Sequence, residues 1–346
     1  MSDILIRSSG HAGRITLNRP QALNALTYEM AMQIDAALQA WDTDPQIARV
    51  IIDATGDKAF CAGGDIAQLY STGRAGDFSY GRRFWRDEYR MNARLAGFAK
   101  PVISFMQGFT MGGGVGVGCH GRHRIVGHSS QIAMPEVGIG LVPDVGGSAL
   151  LARAPGQLGA YLGTTASRMG AGDAILAGFA DYFVPETAWP ALIEALCTSP
   201  DLAPLEAAKA PPPPAPLKAI EAQINAAFAS PNLPDILAHL SDQDSEFAQN
   251  TLKSLGRNSP LAMACALEMV RRLQSQDSDM RTALELEYRY TFRAMEHSDF
   301  LEGIRAAIID KDRNPKWRHA LHQDMQADIQ AMLAPLGADT LTFEQE

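Results

Sequence analysis

Two carboxylates, Glu136 and Asp144, stand in an otherwise apolar and glycine-rich run, MPEVGIGLVPDVGG. An isolated acid in apolar surroundings is costly to ionise, and a second acid nearby pushes at least one pKa upward. A carboxyl so placed can act as general acid, general base or nucleophile near neutral pH. Each residue also has a plainer reading. Glu136 follows a proline, as a loop acid at a helix start would. Asp144 follows a proline and precedes Val-Gly-Gly, which suits an Asx-turn or a helix N-cap. A third acid, Glu88, lies among Arg83, Arg86, Asp87 and Arg90, and charge pattern alone puts it on a solvated helix face.

Two glycine clusters are the other candidates for chemistry: FCAGGDI (60–66) and GFTMGGGVGVGCHG (108–121). Glycine weakens regular structure by about 0.5–1 kcal/mol, so runs of it need a reason. One reason is tight turns and close packing of a helix on a sheet. The other is that backbone N–H groups must reach a ligand unobstructed, as in an oxyanion hole. GVGCHG (116–121) fits GxGxxG, a weak signal alone. It does not follow a strand tightly, and Glu136, the acid about 20 residues on, lies in an apolar loop, so no nicotinamide cofactor is expected. Cys119, His120, His123 and His128 fit no paired-ligand spacing, and no metal is expected. No GxSxG elbow is present, which leaves a serine hydrolase without its nucleophile.

The elements that must position these residues alternate. GRITLNRP (13–20) reads as a strand and turn, RVIIDA (49–54) as a buried strand, and PVISFMQG (101–108) and HRIVG (123–127) as two more. Between them, Met30, Ile34, Leu38 and Trp41 repeat at helical spacing behind Thr27, a suitable N-cap. Residues 81–98 also read as a helix. Such alternation implies an α/β core with buried strands. After AAKAPPPPAPL (207–217) the pattern turns helical, over 217–229, 233–254, 260–275 and 279–297. The linear division is therefore a core at 1–206, a proline-rich linker at 207–216 and a helical region at 217–346.

The chain has 346 residues, 46% hydrophobic and 20% charged, with a net charge of −9. That supports a sizeable core and argues against general nucleic-acid or membrane-surface binding. The four scattered cysteines form no CxxC pair, and no signal segment or long apolar run is present. A reducing, cytoplasmic setting is the expectation.

LNRPQALNALT, AFCAGGDI, KPVISFMQGFTMGGGVGVG and MPEVGIGLVPDVGG, in this order and spacing, resemble the crotonase (enoyl-CoA hydratase/isomerase) superfamily across residues 14–184. The resemblance implies a spiral of β-β-α turns that binds acyl-CoA, with coenzyme A as part of the substrate and no separate cofactor. It implies an oxyanion hole at the N–H groups of Ala62 and Gly113, and substrate contacts at Gly63, Gly64, Asp65 and Gly112. It also implies a homo-oligomer, trimer or hexamer. Hydratases of the superfamily carry two glutamates. The second matches Glu136, but the first falls on Gly116, which counts against simple hydration.

RDEYRMN (86–92), the pairing of Glu136 with Asp144, and DFLEGIRAAIIDKDRNPKW (299–317) resemble the 3-hydroxyisobutyryl-CoA hydrolase branch of valine breakdown. That branch implies thioester hydrolysis, with Glu136 and Asp144 catalytic and Glu88 binding the substrate hydroxyl. The alternatives are a Δ3,Δ2-enoyl-CoA isomerase working through Asp144, an enoyl-CoA hydratase, or a non-catalytic acyl-CoA-binding protein. Arg82, Arg83, Arg86, Lys253, Arg257, Arg271 and Arg272 are unranked candidates for the CoA phosphates. Gln21 stands where many relatives have a lysine for them.

Overall fold

The computed structural model describes residues 2–274 and 279–343. The fold is mixed α/β. Its residues group into two compact units, each assembled from several segments. One comprises Met1–Gly64, Arg90–Ala133 and Arg168–Pro216; the other comprises Asp65–Tyr89, Met134–Ser167 and Leu217–Glu346. The linear division at the prolines is thus corrected: 65–89 and 134–167 pack with the C-terminal helices, because that is where their apolar faces are buried.

The first unit holds every strand found among the described residues. These are β1 (Ile4–Ser9), β2 (Ala12–Leu17), β3 (Arg49–Ala54), β4 (Ala59–Cys61), β5 (Val102–Met106), β6 (Phe109–Met111), β7 (His123–Val126), β8 (Gln131–Ala133) and β9 (Tyr182–Phe183). One sheet has the order β1-β2-β3-β5-β7-β9, the other β4-β6-β8. Only β1 pairs antiparallel, with β2. Successive pairs β3/β4, β5/β6 and β7/β8 each place one strand in each sheet, which is the expected spiral. The helix Trp189–Thr198 covers the larger sheet, with Trp189, Leu192 and Leu196 against Ile51, Ile103, Phe105 and Ile125. Thr27 does cap the helix Tyr28–Asp42, accepting from the Met30 N–H at 3.2 Å, and Met30, Ile34, Leu38 and Trp41 are all buried.

The second unit is helical. Its centre is the helix Pro260–Gln274, buried along most of its length, which packs on the helices Gly147–Arg153 and Leu158–Thr165. The expected helix over 233–254 is two, Leu233–Ser241 and Glu246–Leu255. Ser245 caps the second through the Ala248 N–H, which starts a new helix inside a stretch whose periodicity looked continuous. The expected 217–229 helix is likewise split, into Pro216–Ala219 and Glu221–Ala227. Ser275, the expected end of the next helix, and residues 344–346 lie outside the described residues. Among those described, no helix is long and apolar enough to cross a membrane.

Candidate active site

Four acids come together in the second unit: Glu88, Glu136, Asp144 and Glu287, each no more than 5% exposed. Glu88 sits on the helix Ser79–Ala96, where Phe84, Glu88, Met91 and Leu95 follow one another at spacings of four, three and four. All four are buried, so Glu88 occupies an apolar stripe. The solvated face suggested by its charged neighbours is corrected. Glu136 opens the 3-10 turn Glu136–Ile139. Asp144 accepts a hydrogen bond from the Tyr89 hydroxyl at 2.8 Å. Glu287 lies on the helix Met280–His297 and accepts from the Gly146 N–H at 2.8 Å, the Ser148 N–H at 3.1 Å and the Ser148 hydroxyl.

The electrostatics are those of acids crowded in a dry place. Burial, then the charge of Asp144, holds the Glu88 carboxyl well above its ordinary range. The same two causes, in that order, lift Glu136. Asp144 is raised to about 7 by burial, against the Tyr89 hydrogen bond, which lowers it. Glu287 is raised to about 8, again chiefly by burial. Glu88 Oε1 and Glu136 Oε2 are buried with no hydrogen-bond partner among the described residues. Orphaned buried oxygens of this kind are uncommon and mark a place built for something else to bond.

The loop that carries Glu136 and Asp144 is clamped by the C-terminal segment. The Gly140 carbonyl accepts from the Tyr290 hydroxyl at 3.0 Å and from the Ser298 hydroxyl at 3.2 Å. The Val137 carbonyl accepts from the Ser259 N–H at 2.9 Å. Gly303, within LEGIRAAIIDKD, lies so close that an added Cβ would fall 2.3 Å from the Ile139 carbonyl carbon. The tail is therefore a wall of the acid site within its own unit.

The glycine donors lie in the first unit, where β4 and β6 run parallel and each leads at its C-terminal end into a glycine cluster. Strands so paired are about 4.8 Å apart. Gly113 is the first residue of the helix Gly113–Gly118, and its N–H finds no acceptor among the described residues. Gly112 precedes it at φ 48° and ψ −119°, a conformation suited to glycine. Ala62 does not supply the other donor: its N–H already bonds the Leu23 carbonyl at 3.0 Å. Two residues on, the Gly64 N–H has no recorded acceptor among the described residues, and a Cβ there would meet nothing within 4 Å. The Gly63 carbonyl holds the Leu26 N–H at 2.8 Å. Asp65, in the other unit, accepts from the Ala67 N–H at 3.4 Å. Gly114 is there for packing, since its Cβ would fall 2.1 Å from the Cys61 carbonyl oxygen. Gly116 lies inside the same helix and Gly118 ends it, which is not the strand-to-helix turn a dinucleotide fingerprint needs.

Among the basic candidates, Arg82 is committed to Glu296 and the Phe292 carbonyl, and Arg271 and Arg272 share Glu268. Arg86 pairs with Asp87. Arg257 instead lines a cleft of about 500 Å³ in the second unit, with Asn258, Arg313, Asn314 and Trp317. Arg313 was not singled out in the sequence. Among the described residues, no group of three or more His, Cys, Asp or Glu side chains is arranged to hold a metal. His123 and His128 pack on the rings of Tyr182 and Phe183.

Residues 12–333 match the family model described as enoyl-CoA hydratase/isomerase. The rat protein named 3-hydroxyisobutyryl-CoA hydrolase, mitochondrial, is 37% identical over 99% of this chain and 91% of that one. Its chicken counterpart is 34% identical over 98% and 91%. Among solved structures, an enoyl-CoA hydratase from Rhodobacter sphaeroides 2.4.1 is 56% identical, with a TM-score of 0.95 over 99% of this chain and 100% of that one. A carnitinyl-CoA dehydratase from Mycobacterium thermoresistibile is 39% identical, with a TM-score of 0.95 over the whole of both. The spiral fold and the near full-length match agree: the chain belongs to the enoyl-CoA hydratase/isomerase family and has the crotonase fold.

Proposed function

We propose that the chain is an acyl-CoA thioester hydrolase that takes 3-hydroxyisobutyryl-CoA, as in valine catabolism, and releases free CoA and 3-hydroxyisobutyrate. The observation that carries this is the pairing of Glu136 with Asp144 in one dry cluster, each raised by burial and Glu136 raised further by Asp144, while Gly116 offers no second hydratase acid. The name borne by the rat and chicken relatives supports the same reading.

In this mechanism the thioester oxygen lies on the N–H groups of Gly64 and Gly113, where negative charge develops. Gly64 replaces Ala62 because the Ala62 N–H is already donated. The Glu136 carboxylate attacks the carbonyl carbon, the C–S bond breaks, and CoA leaves as a thiolate that takes up a proton. Water then opens the mixed anhydride and regenerates Glu136. Asp144, oriented by Tyr89, accepts the proton of that water. Glu88 bonds the substrate's 3-hydroxyl through its unpartnered oxygen. The cleft with Arg257, Arg313 and Trp317 receives the phosphates and adenine of CoA. Four buried cysteines outside any disulfide fit a reducing, cytoplasmic setting.

Glu136→Gln is the direct test. It is expected to abolish CoA release, followed with a thiol reagent, while acyl-CoA still binds; undiminished turnover would sink the assignment. The name of the Rhodobacter neighbour favours a second reading, an enoyl-CoA hydratase. Assayed side by side, hydration of an enoyl-CoA without CoA release would favour that reading. Isomerisation without CoA release would favour the isomerase, and binding without turnover a non-catalytic protein.

A further inference from the structure

Asp144 is followed by an unfavourable piece of backbone. Val145 has φ 52° and Gly146 has φ 81°. Glycine adopts such a conformation readily, but a β-branched residue does so only where its surroundings force it. One restraint is local: the Gly147 N–H bonds the Asp144 carbonyl at 2.7 Å. The other comes from far along the chain. Both oxygens of Glu287 are used, one by the Gly146 N–H and the other by the N–H and hydroxyl of Ser148. Glu287 is fully buried on a helix where Ala283, Glu287, Tyr290 and Ala294 form a buried stripe. An acid placed there is expensive unless it does something.

We propose that Glu287 is a positioning residue for Asp144. By bridging the Gly146 and Ser148 donors it holds the left-handed Val145–Gly146 turn, and so keeps the Asp144 carboxyl against the Tyr89 hydroxyl. This rests on the reading of Asp144 as a working acid. It assigns the C-terminal helical segment a part in the chemistry as well as in packing. The titratable groups that face Glu287 are Asp144, Glu136 and Tyr89, each of which exchanges charge effects with it. Glu287 is raised to about 8 and so is mostly protonated near pH 7; a neutral residue there removes a brace more than a charge.

The test is Glu287→Gln, read in two ways. By crystallography, the Tyr89–Asp144 distance, 2.8 Å in the native protein, is expected to open beyond hydrogen-bonding range. In steady-state assays of CoA release, kcat is expected to fall about 100-fold with KM nearly unchanged. The acid limb of the pH profile should move to higher pH, because Asp144 loses the Tyr89 bond that lowers it; a merely structural defect would lower the active fraction and leave that limb in place. An intact Tyr89–Asp144 bond with native kcat and an unmoved limb overturns the proposal. If Glu287→Gln does not fold, Ser148→Ala removes one of the donors, and an expected drop of about tenfold in kcat replaces the first readout; native kcat there overturns it equally. Full turnover by Asp144→Asn would instead overturn the role of Asp144, and would leave the crystallographic distance to decide the positioning claim.

Discussion

The Tyr89 hydroxyl donates to Asp144 at 2.8 Å, and Tyr89 is the chain neighbour of Glu88. One helical turn therefore supplies both a candidate substrate ligand and the partner of a candidate catalytic acid. The Tyr89 bond favours the charged form of Asp144, which burial otherwise disfavours. Tyr89→Phe should raise the Asp144 pKa above its native value of about 7. Near pH 7, kcat should fall about tenfold, a loss of roughly 1.4 kcal/mol, and much of it should return by pH 9. A pH–rate profile checks this; an unmoved acid limb would separate Tyr89 from the working acid.

The same burial makes the site costly for the fold. The Asp144 carboxyl has an ordinary pKa of 3.8 and titrates at about 7 when folded. Between those values the folded chain holds a proton that the unfolded chain has released, so stability falls as pH rises through that window. Above about pH 7 the full penalty is present. Asp144→Asn cannot ionise and should match the native protein at pH 4 yet melt higher at pH 8, by on the order of 3 °C. Thermal melts at the two pH values decide it; a variant less stable at pH 8 would mean that Asp144 is held by more than its recorded bonds.

Sequence patterns carry the first unit well because strands and caps are local. Thr27, the β3, β5 and β7 segments and the glycine clusters all fall where composition and periodicity place them. The four-acid cluster was only half legible. Glu136 and Asp144 stand out as acids in an apolar loop. Glu88 is reached only through the RDEYRMN resemblance and Glu287 not at all, because charged and aromatic residues such as Asp87, Tyr89, Glu285 and Tyr288 surround them in the chain. Their signal is their phase: each fills a place in an apolar stripe, between Phe84 and Met91 and between Ala283 and Tyr290. Reading helices by stripe rather than by neighbour would find both. The misplacement at Ala62 has a different origin. Which N–H in Ala-Gly-Gly is left for a ligand depends on a backbone pairing with Leu23 and Leu26, far away in sequence. The grouping of 134–167 with the C-terminal helices depends on close contacts such as Gly303 on Ile139, which no local pattern announces.

Glu88 should set preference for a hydroxylated acyl group. Its Oε1 is buried and has no partner among the described residues, and burial together with the Asp144 charge keeps the carboxyl raised. A protonated carboxyl can both donate to and accept from a hydroxyl. Glu88→Met keeps length and removes both capacities. Discrimination between 3-hydroxyisobutyryl-CoA and isobutyryl-CoA, taken as the ratio of kcat/KM values, should shrink about 10- to 100-fold. Equal loss on both substrates would show that Glu88 shapes the site without reading the hydroxyl.

The nucleotide end of the substrate gives a test that leaves the acids untouched. Arg305 gathers Glu302, Asp310 and Asp312 at 2.6–2.8 Å, which folds the DKDRNPKW segment. That fold carries Arg313, at φ 52°, to the cleft where Arg257 and Trp317 also sit. Two guanidinium groups beside an indole suit a phosphorylated adenosine, since phosphates take bidentate arginine and purines stack on aromatic faces. The Arg257→Ala, Arg313→Ala double variant should raise KM for acyl-CoA about tenfold at low salt, with a smaller effect at high salt where the charge is screened. Its kcat should stay near native. A truncated thioester carrying only the pantetheine arm has no nucleotide to lose, and its kcat/KM should be unchanged. If the truncated substrate suffers equally, the arginines support the fold of the tail against the Glu136 loop rather than the CoA phosphates.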